Sequence, residues 1–168
     1  MSMFSRQITI DAPADAVWEV VGRQFDRVGE WATVIPASAP DPAASGRVDA
    51  PVGGRICQTG IRLVPRVSEQ IIAYDEADRS LTYQAVGLPE FVTVARNSWR
   101  VTPLDARRAQ VAFAGQFQTR GLLGRLARWV LLLQLWRAGR HLLDDLKHFV
   151  EHGTPSPRKR RRHGSAGP

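Results

Sequence analysis

The run from Leu122 to Val150, LLGRLARWVLLLQLWRAGRHLLDDLKHFV, constrains the fold more than any other stretch. It contains no proline, and apolar residues recur at Leu122, Leu126, Trp129, Leu133, Trp136, Leu143, Leu146 and Val150, mostly three or four apart, which is helical spacing. A helix of that length is a rod of about 44 Å, long enough to cross a whole domain. The rest of the chain is therefore expected to wrap around it. The second half, Gly139 to Val150, is amphipathic and should seal the interior, leaving His141, Asp145 and His148 outside. Around Trp129 to Trp136 the rod is apolar nearly all round, more greasy surface than one sheet covers. Short helices, a second copy of the chain in a homodimer, or a membrane surface is the expected cover.

A bilayer-spanning role fails on length. Trp129 to Trp136 is interrupted by Gln134 and flanked by Arg128 and Arg137, whereas crossing takes about 20 apolar residues. With 168 residues the chain suits a single domain with its own core. Cys57 is the only cysteine, so no intrachain disulfide forms; with no secretory pattern at Met1 to Asp11, a cytoplasmic location is expected, with a peripheral membrane association as its variant. Of the formal charge of +7, five positive charges come from Arg158, Lys159, Arg160, Arg161 and Arg162, leaving +2 for the rest. The domain is thus expected over 1–153, followed by a disordered basic tail over 154–168.

Taken in order, Met3 to Asp11 alternates as a strand, with Ile8 and Ile10 on one face. Ala12 to Arg23 reads as a helix with Pro13 in its first turn and Val17, Trp18, Val20 and Val21 as its buried stripe, and a second short helix follows around Phe25 to Ala32. Pro36 to Pro51 reads as loop with one brief strand near Val48. Five further strands are expected at Gly54 to Thr59, Arg66 to Tyr74, Ser80 to Val86, Phe91 to Thr102 and Ala109 to Thr119, joined by turn-forming segments such as DEADR and GLPE. This order predicts an α+β fold: an antiparallel sheet of six to seven strands, curved around the long helix, with two short helices after the first strand. Two short helices do not fill the space between sheet and rod, and the gap predicts an apolar pocket.

Four pieces, ITIDAPADAVWEVV, FDRVGEWATVIP, VSEQIIAYDEADRSLTYQ and NSWRVTP with the ending LLDDLKHFVE, together resemble the START and polyketide-cyclase-like superfamily (SRPBCC). They cover about Ile8 to Gly153. The resemblance implies the helix-grip fold and a cavity for a hydrophobic molecule. It carries Glu69, in the S-E-x-x motif, and Tyr83 on the next strand to cavity-lining positions. It also places the Gly60 to Pro65 loop where the plant receptor branch keeps a moving gate, and favours Ala114 and Gln116 facing the cavity.

The residues themselves leave alternatives open. An inward face of Val67, Glu69, Ile71 and Ala73 puts a carboxylate among apolar groups, as an anchor or acid/base; a one-residue slip would turn Ser68, Gln70, Ile72 and Tyr74 inward instead. Any of Arg55, Arg62, Arg66, Arg96 and Arg100 is able to pair with Glu69 or grip a carboxylate. Asn97 and Trp99 share parity and read as lining. On the last strand, hydrophobicity buries Val111, Phe113 and Phe117, in conflict with the inward Ala114 that the resemblance favours. The candidate ligand-binding set is Trp31, Ile61, Leu63, Glu69, Ile71, Tyr83, Asn97, Trp99, Ala114, Leu135, Gly139 and Leu143, with Trp31 at the mouth. Glu69 is the single catalytic candidate.

His141, Asp145, His148 and His152 share a helical face, but the zincin pattern is absent and no metal is expected. No nucleophile elbow, phosphate loop or dinucleotide fingerprint occurs, so no cofactor is expected. The leading expectation is binding, transport or sensing of a lipid or aromatic polyketide rather than catalysis. A cyclase or dehydratase using Glu69, and a lipid-handling protein whose tail touches an anionic membrane, are the alternatives; nucleic acid is not an expected partner.

Overall fold

The computed structural model describes residues 2–44, 49–61 and 64–164, and its side chains outside residues 2, 60–61, 122–136 and 163–164. Strand β1 (Ser2–Ile10) alternates Met3, Ser5, Gln7 and Thr9 outward with Phe4, Arg6, Ile8 and Ile10 inward. Pro13 precedes helix α1 (Ala14–Trp18), where its fixed φ suits a helix start and its missing N–H costs nothing, and the helix widens into a π turn (Glu19–Arg23). A 3₁₀ turn (Phe25–Arg27) leads into α2 (Val28–Trp31). Then come β2 (Ala37–Pro40), β3 (Gly54–Ile61), β4 (Val64–Asp75), β5 (Ser80–Val86), β6 (Val92–Asp105) and β7 (Arg108–Thr119). Helix α3 (Gly121–His152) follows, and a short α4 (Pro157–Gly164) ends the described chain.

The seven strands form one antiparallel sheet in the order β1-β7-β6-β5-β4-β3-β2, curved about α3. Helix α3 crosses its concave face along β1 and β7. Gly139 lies against Phe4 and Phe113, Lys147 Nζ donates to the Thr9 carbonyl at 2.8 Å, and the Asp11 N–H donates to Glu151 at 2.8 Å. The helix stops at Gly153, whose φ of 68° lets its N–H return to the Phe149 carbonyl. Ile10, Val17, Trp18, Phe25, Leu81, Val101, Val111 and Leu146 are at most 2% exposed and make the core between sheet, α1 and the second half of α3.

Five expectations change. The brief strand lies at Ala37–Pro40, on the β3 edge, rather than near Val48, which is outside the described residues. On β4 the register shifts between Ile71 and Ala73, so Ala73 is exposed and Tyr74 turns toward Trp18; one extra residue in a strand reverses the parity beyond it. On β7 hydrophobicity decides: Val111, Phe113 and Phe117 are buried and Ala114 lies on the opposite face. Asp145 is fully buried instead of outside, because the segment after α2 and the start of α4 pack over that side of α3. Residues Pro157–Gly164 are helical rather than unstructured, and Lys159 among them is 2% exposed. The side chains of Trp129 to Trp136, and with them the expected homodimer contact, lie outside the described ones.

Candidate functional site

Parity places Arg55 and Cys57 of β3, Val67, Glu69 and Ile71 of β4, Tyr83 of β5, and Asn97 and Trp99 of β6 on the concave face. Register then brings the polar ones together: Arg55 pairs with Glu69, and Tyr83 with Asn97. Arg55 Nε donates to Glu69 Oε2 at 2.6 Å, with the two side chains 6% and 13% exposed. Arg55 Nη1 donates to the Phe25 carbonyl at 2.7 Å, and the guanidinium lies 3.9 Å above the Phe25 ring and 5.2 Å from that of Tyr83. Cys57 Sγ is 3.5 Å from the same Glu69 oxygen. Arg55 Nη2 and Glu69 Oε1 make no hydrogen bond to the described residues. The site thus holds one donor and one acceptor side by side on an apolar wall.

The electrostatics follow from this crowding. Burial works most strongly against the Arg55 charge, but the Glu69 carboxylate, together with Tyr83 and Cys57, more than offsets it and raises the guanidinium pKa. Burial, reinforced by Glu69 and opposed by Arg55, pushes the Cys57 thiol up to about 12, so it is no nucleophile. Burial and Glu69 likewise raise the Tyr83 phenol, which stays a neutral hydroxyl.

The inner face is sealed at one end and accessible at the other. Ile10, Leu81, Val101 and Val111 are at most 2% exposed, whereas Ala85, two residues beyond Tyr83, and Asn97 and Ala95, two and four residues before Trp99, are only half-buried. Gly115 sits between these ends, where a Cβ would collide with the Phe4 ring and come within 2.9 Å of Asn97 Oδ1. Glycine is needed there because three elements converge. A hollow at the β6–β7 turn, lined by Asp11 and residues 105–108, is built from turn residues away from the concave face, whereas the inward polar and aromatic side chains gather on that face, which is therefore the candidate site.

Of the sequence candidates, Glu69, Ile71, Tyr83, Asn97 and Trp99 share this face, with Gly139 and Leu143 opposite on α3. Trp31 is 3% exposed inside the core rather than at a mouth, and its Nε1 is buried without a hydrogen-bond partner among the described residues. Ala114 faces away. Leu63 lies outside the described residues and the side chains of Ile61 and Leu135 outside the described ones. Of the five arginines, Arg55 is the one beside Glu69; Arg66, Arg96 and Arg100 are exposed, and Arg62 is outside the described residues. Sequence reasoning undervalued Phe25 and Cys57. Their signal was weak: only the β3–β4 register, not alternation, reveals what stands opposite Glu69. Among the described residues no group of three or more metal-ligating side chains occurs, and no described helix is long and apolar enough to cross a membrane.

The sequence model of the family described as polyketide cyclase / dehydrase and lipid transport matches residues 1–151. Solved structures share the fold. The Zhui aromatase/cyclase from Streptomyces sp. R1128 superposes with a TM-score of 0.69 at 19% identity, over 92% of this chain and 99% of that one. An uncharacterized protein from Bacillus thuringiensis gives 0.69 at 16% identity, over 89% and 98%. A START superfamily protein from Mycobacterium smegmatis gives 0.64 at 15% identity, over 90% and 99%. No curated protein sequence matches.

Proposed function

Because the chain belongs to the polyketide cyclase/dehydrase and lipid transport family, we propose that it binds a small amphipathic molecule, a lipid or an aromatic polyketide, between the concave sheet and α3. One observation carries this reading: the Arg55–Glu69 pair stands on an apolar wall with Nη2 and Oε1 unused by the described residues. Neither atom is buried without a partner, so both keep access to open space at the inner face, where a ligand can meet them. A ligand hydroxyl or carbonyl supplies the missing partners, while Phe25, Trp99 and Phe113 contact its apolar body. The buried, unpartnered Trp31 Nε1 is a further donor for such a molecule.

Native mass spectrometry of the purified protein and titration with the neutral fluorophore N-phenyl-1-naphthylamine test the reading. Saturable binding, displaced by fatty acids or by polycyclic phenols, supports it and selects the ligand class. An unliganded mass together with no saturable fluorescence rejects it.

The same pair favours catalysis as the second reading. Glu69 would remove a proton from a carbon next to a ketone, and Arg55 would donate to the oxygen that gains negative charge as the enolate forms. Turnover of a poly-β-ketone substrate that is lost in Glu69→Gln supports this; unchanged turnover eliminates it.

A further inference from the structure

We propose that α4 is a latch on the wall of this cavity: Lys159 pins segment 32–36 in its closed position, and release of α4 opens the site. Its purpose rests on the binding reading above, but its geometry does not. Within the run RKRRR, which composition alone would leave solvated, Lys159 is turned inward and 2% exposed. Its Nζ donates to the carbonyls of Ala32, Ile35 and Pro36 at 3.0, 2.7 and 3.2 Å, using all three donors of an ammonium. Beneath it the buried Asp145 accepts the Thr33 N–H at 2.8 Å and the Ser156 hydroxyl at 2.6 Å. Ser156 in turn accepts the Lys159 N–H at 3.3 Å, and Arg162 Nη1 donates to the Thr33 carbonyl at 3.1 Å. The polar groups of segment 32–36 are therefore largely committed to α4 and its approach.

The segment it holds is one that needs holding. It joins α2, which carries Trp31, to β2, a four-residue strand at the sheet edge. Trp31 Nε1 and Thr33 Oγ1 are buried there without partners among the described residues, so these two side chains do not secure the closed position. The attachment is also of a reversible kind. The described side chains of α4 after Pro157 are all Arg or Lys, so docking is made through charged groups and hydrogen bonds, and undocking returns those charges to water. Burial, opposed by Asp145 and reinforced by Arg162, already holds the Lys159 ammonium below the usual lysine range. Arg160 and Arg161 are exposed, and Arg161 Nε donates within α4 to the Pro157 carbonyl at 3.4 Å.

Hydrogen exchange of the full chain, comparing Lys159→Met with a control carrying Arg160→Ala and Arg161→Ala, tests the latch. Lys159→Met is expected to raise exchange of the amides of 32–40 by about tenfold, leaving strands 81–86 and 108–119 unchanged. Stopped-flow binding of N-phenyl-1-naphthylamine should show on- and off-rates rising together, with the control matching the unaltered protein in both assays. A uniform rise across the sheet, or no change at 32–40, overturns the latch. Ser156→Ala leaves Lys159 in place and should act in the same direction by a smaller factor, so it decides the matter if Lys159→Met does not fold. If the fluorophore binds no variant, the cavity reading fails while the exchange result still judges the latch.

Discussion

Removing the Glu69 carboxylate should harm this protein more than removing the whole Arg55–Glu69 pair. At contact distance, in an effective dielectric of about 20, two such charges attract by about 4 kcal/mol. The pair is 6% and 13% exposed, so solvent screens little of this. Glu69→Leu leaves the guanidinium buried with the Phe25 carbonyl and the Phe25 and Tyr83 rings but no counter-charge, and stranding one charge of a buried pair costs about 3–5 kcal/mol. For a domain of this size that is a fall in Tm of about 6–20 °C. Arg55→Met together with Glu69→Leu removes both desolvated charges and fills the space with apolar atoms; such replacements are neutral or stabilising by up to about 4 kcal/mol. Urea unfolding of the wild type, both single variants and the double variant closes a thermodynamic cycle, with a coupling energy of about 3 kcal/mol or more expected. The double variant should also be stable yet lose affinity for hydroxylated ligands. A coupling below about 1 kcal/mol, the range of exposed ion pairs, would show that the pair is solvated and would refute the argument.

Three further outcomes follow from the geometry. Tyr74, Trp18 and Arg23 donate to Glu76 and hold its carboxyl down to about 2. Stability from a depressed carboxylate is present above its unfolded pKa and lost as pH falls through the folded one, so the deficit of Glu76→Gln should shrink between about pH 4.5 and pH 2 in urea titrations; since Glu76 is half-exposed, the deficit at pH 7 should be under about 1 kcal/mol. Gly115→Ala drives a Cβ into Phe4 and should lower stability by about 1–3 kcal/mol, read as a reduced midpoint in thermal unfolding. Cys57, buried and pushed up to about 12, should resist Ellman's reagent at pH 8 in the folded protein and react fully in urea.

The long helix and the antiparallel meander were legible because each is a repeating pattern: a period near 3.6 over Leu122 to Val150, or of two over Ser80 to Val86; the inward side of Glu69 was implied by the resemblance, since alternation left both faces of its strand open. What escaped depends on single non-repeating events. The shift between Ile71 and Ala73 reverses one strand's parity at a place no alternation rule marks. Arg55 was one of five equivalent arginines until register set it opposite Glu69. Ala114 was favoured by the resemblance, yet the apolar side chains of β7 fixed its face. Asp145 and Lys159 escaped for the same reason, because each is buried by a segment remote in sequence.

The two polar clusters also differ in what they ask of the chain. Lys159 offers its donors to three backbone carbonyls, which close around it and leave the ammonium complete. Arg55 and Glu69 satisfy only part of each other, and their free atoms lie level with the half-buried end of the inner face, beside Asn97 and Ala85. A filled cluster fixes a segment; a partly filled one fixes an orientation for something else. A net-neutral pair suits that task better than a lone charge. An uncharged ligand entering an apolar cavity meets both a donor and an acceptor there, without first desolvating an uncompensated ion. It follows that ligands carrying a hydroxyl next to a carbonyl, which engage both groups at once, should outbind matched hydrocarbons of equal area, and that the double variant should abolish this preference while retaining the hydrocarbon affinity.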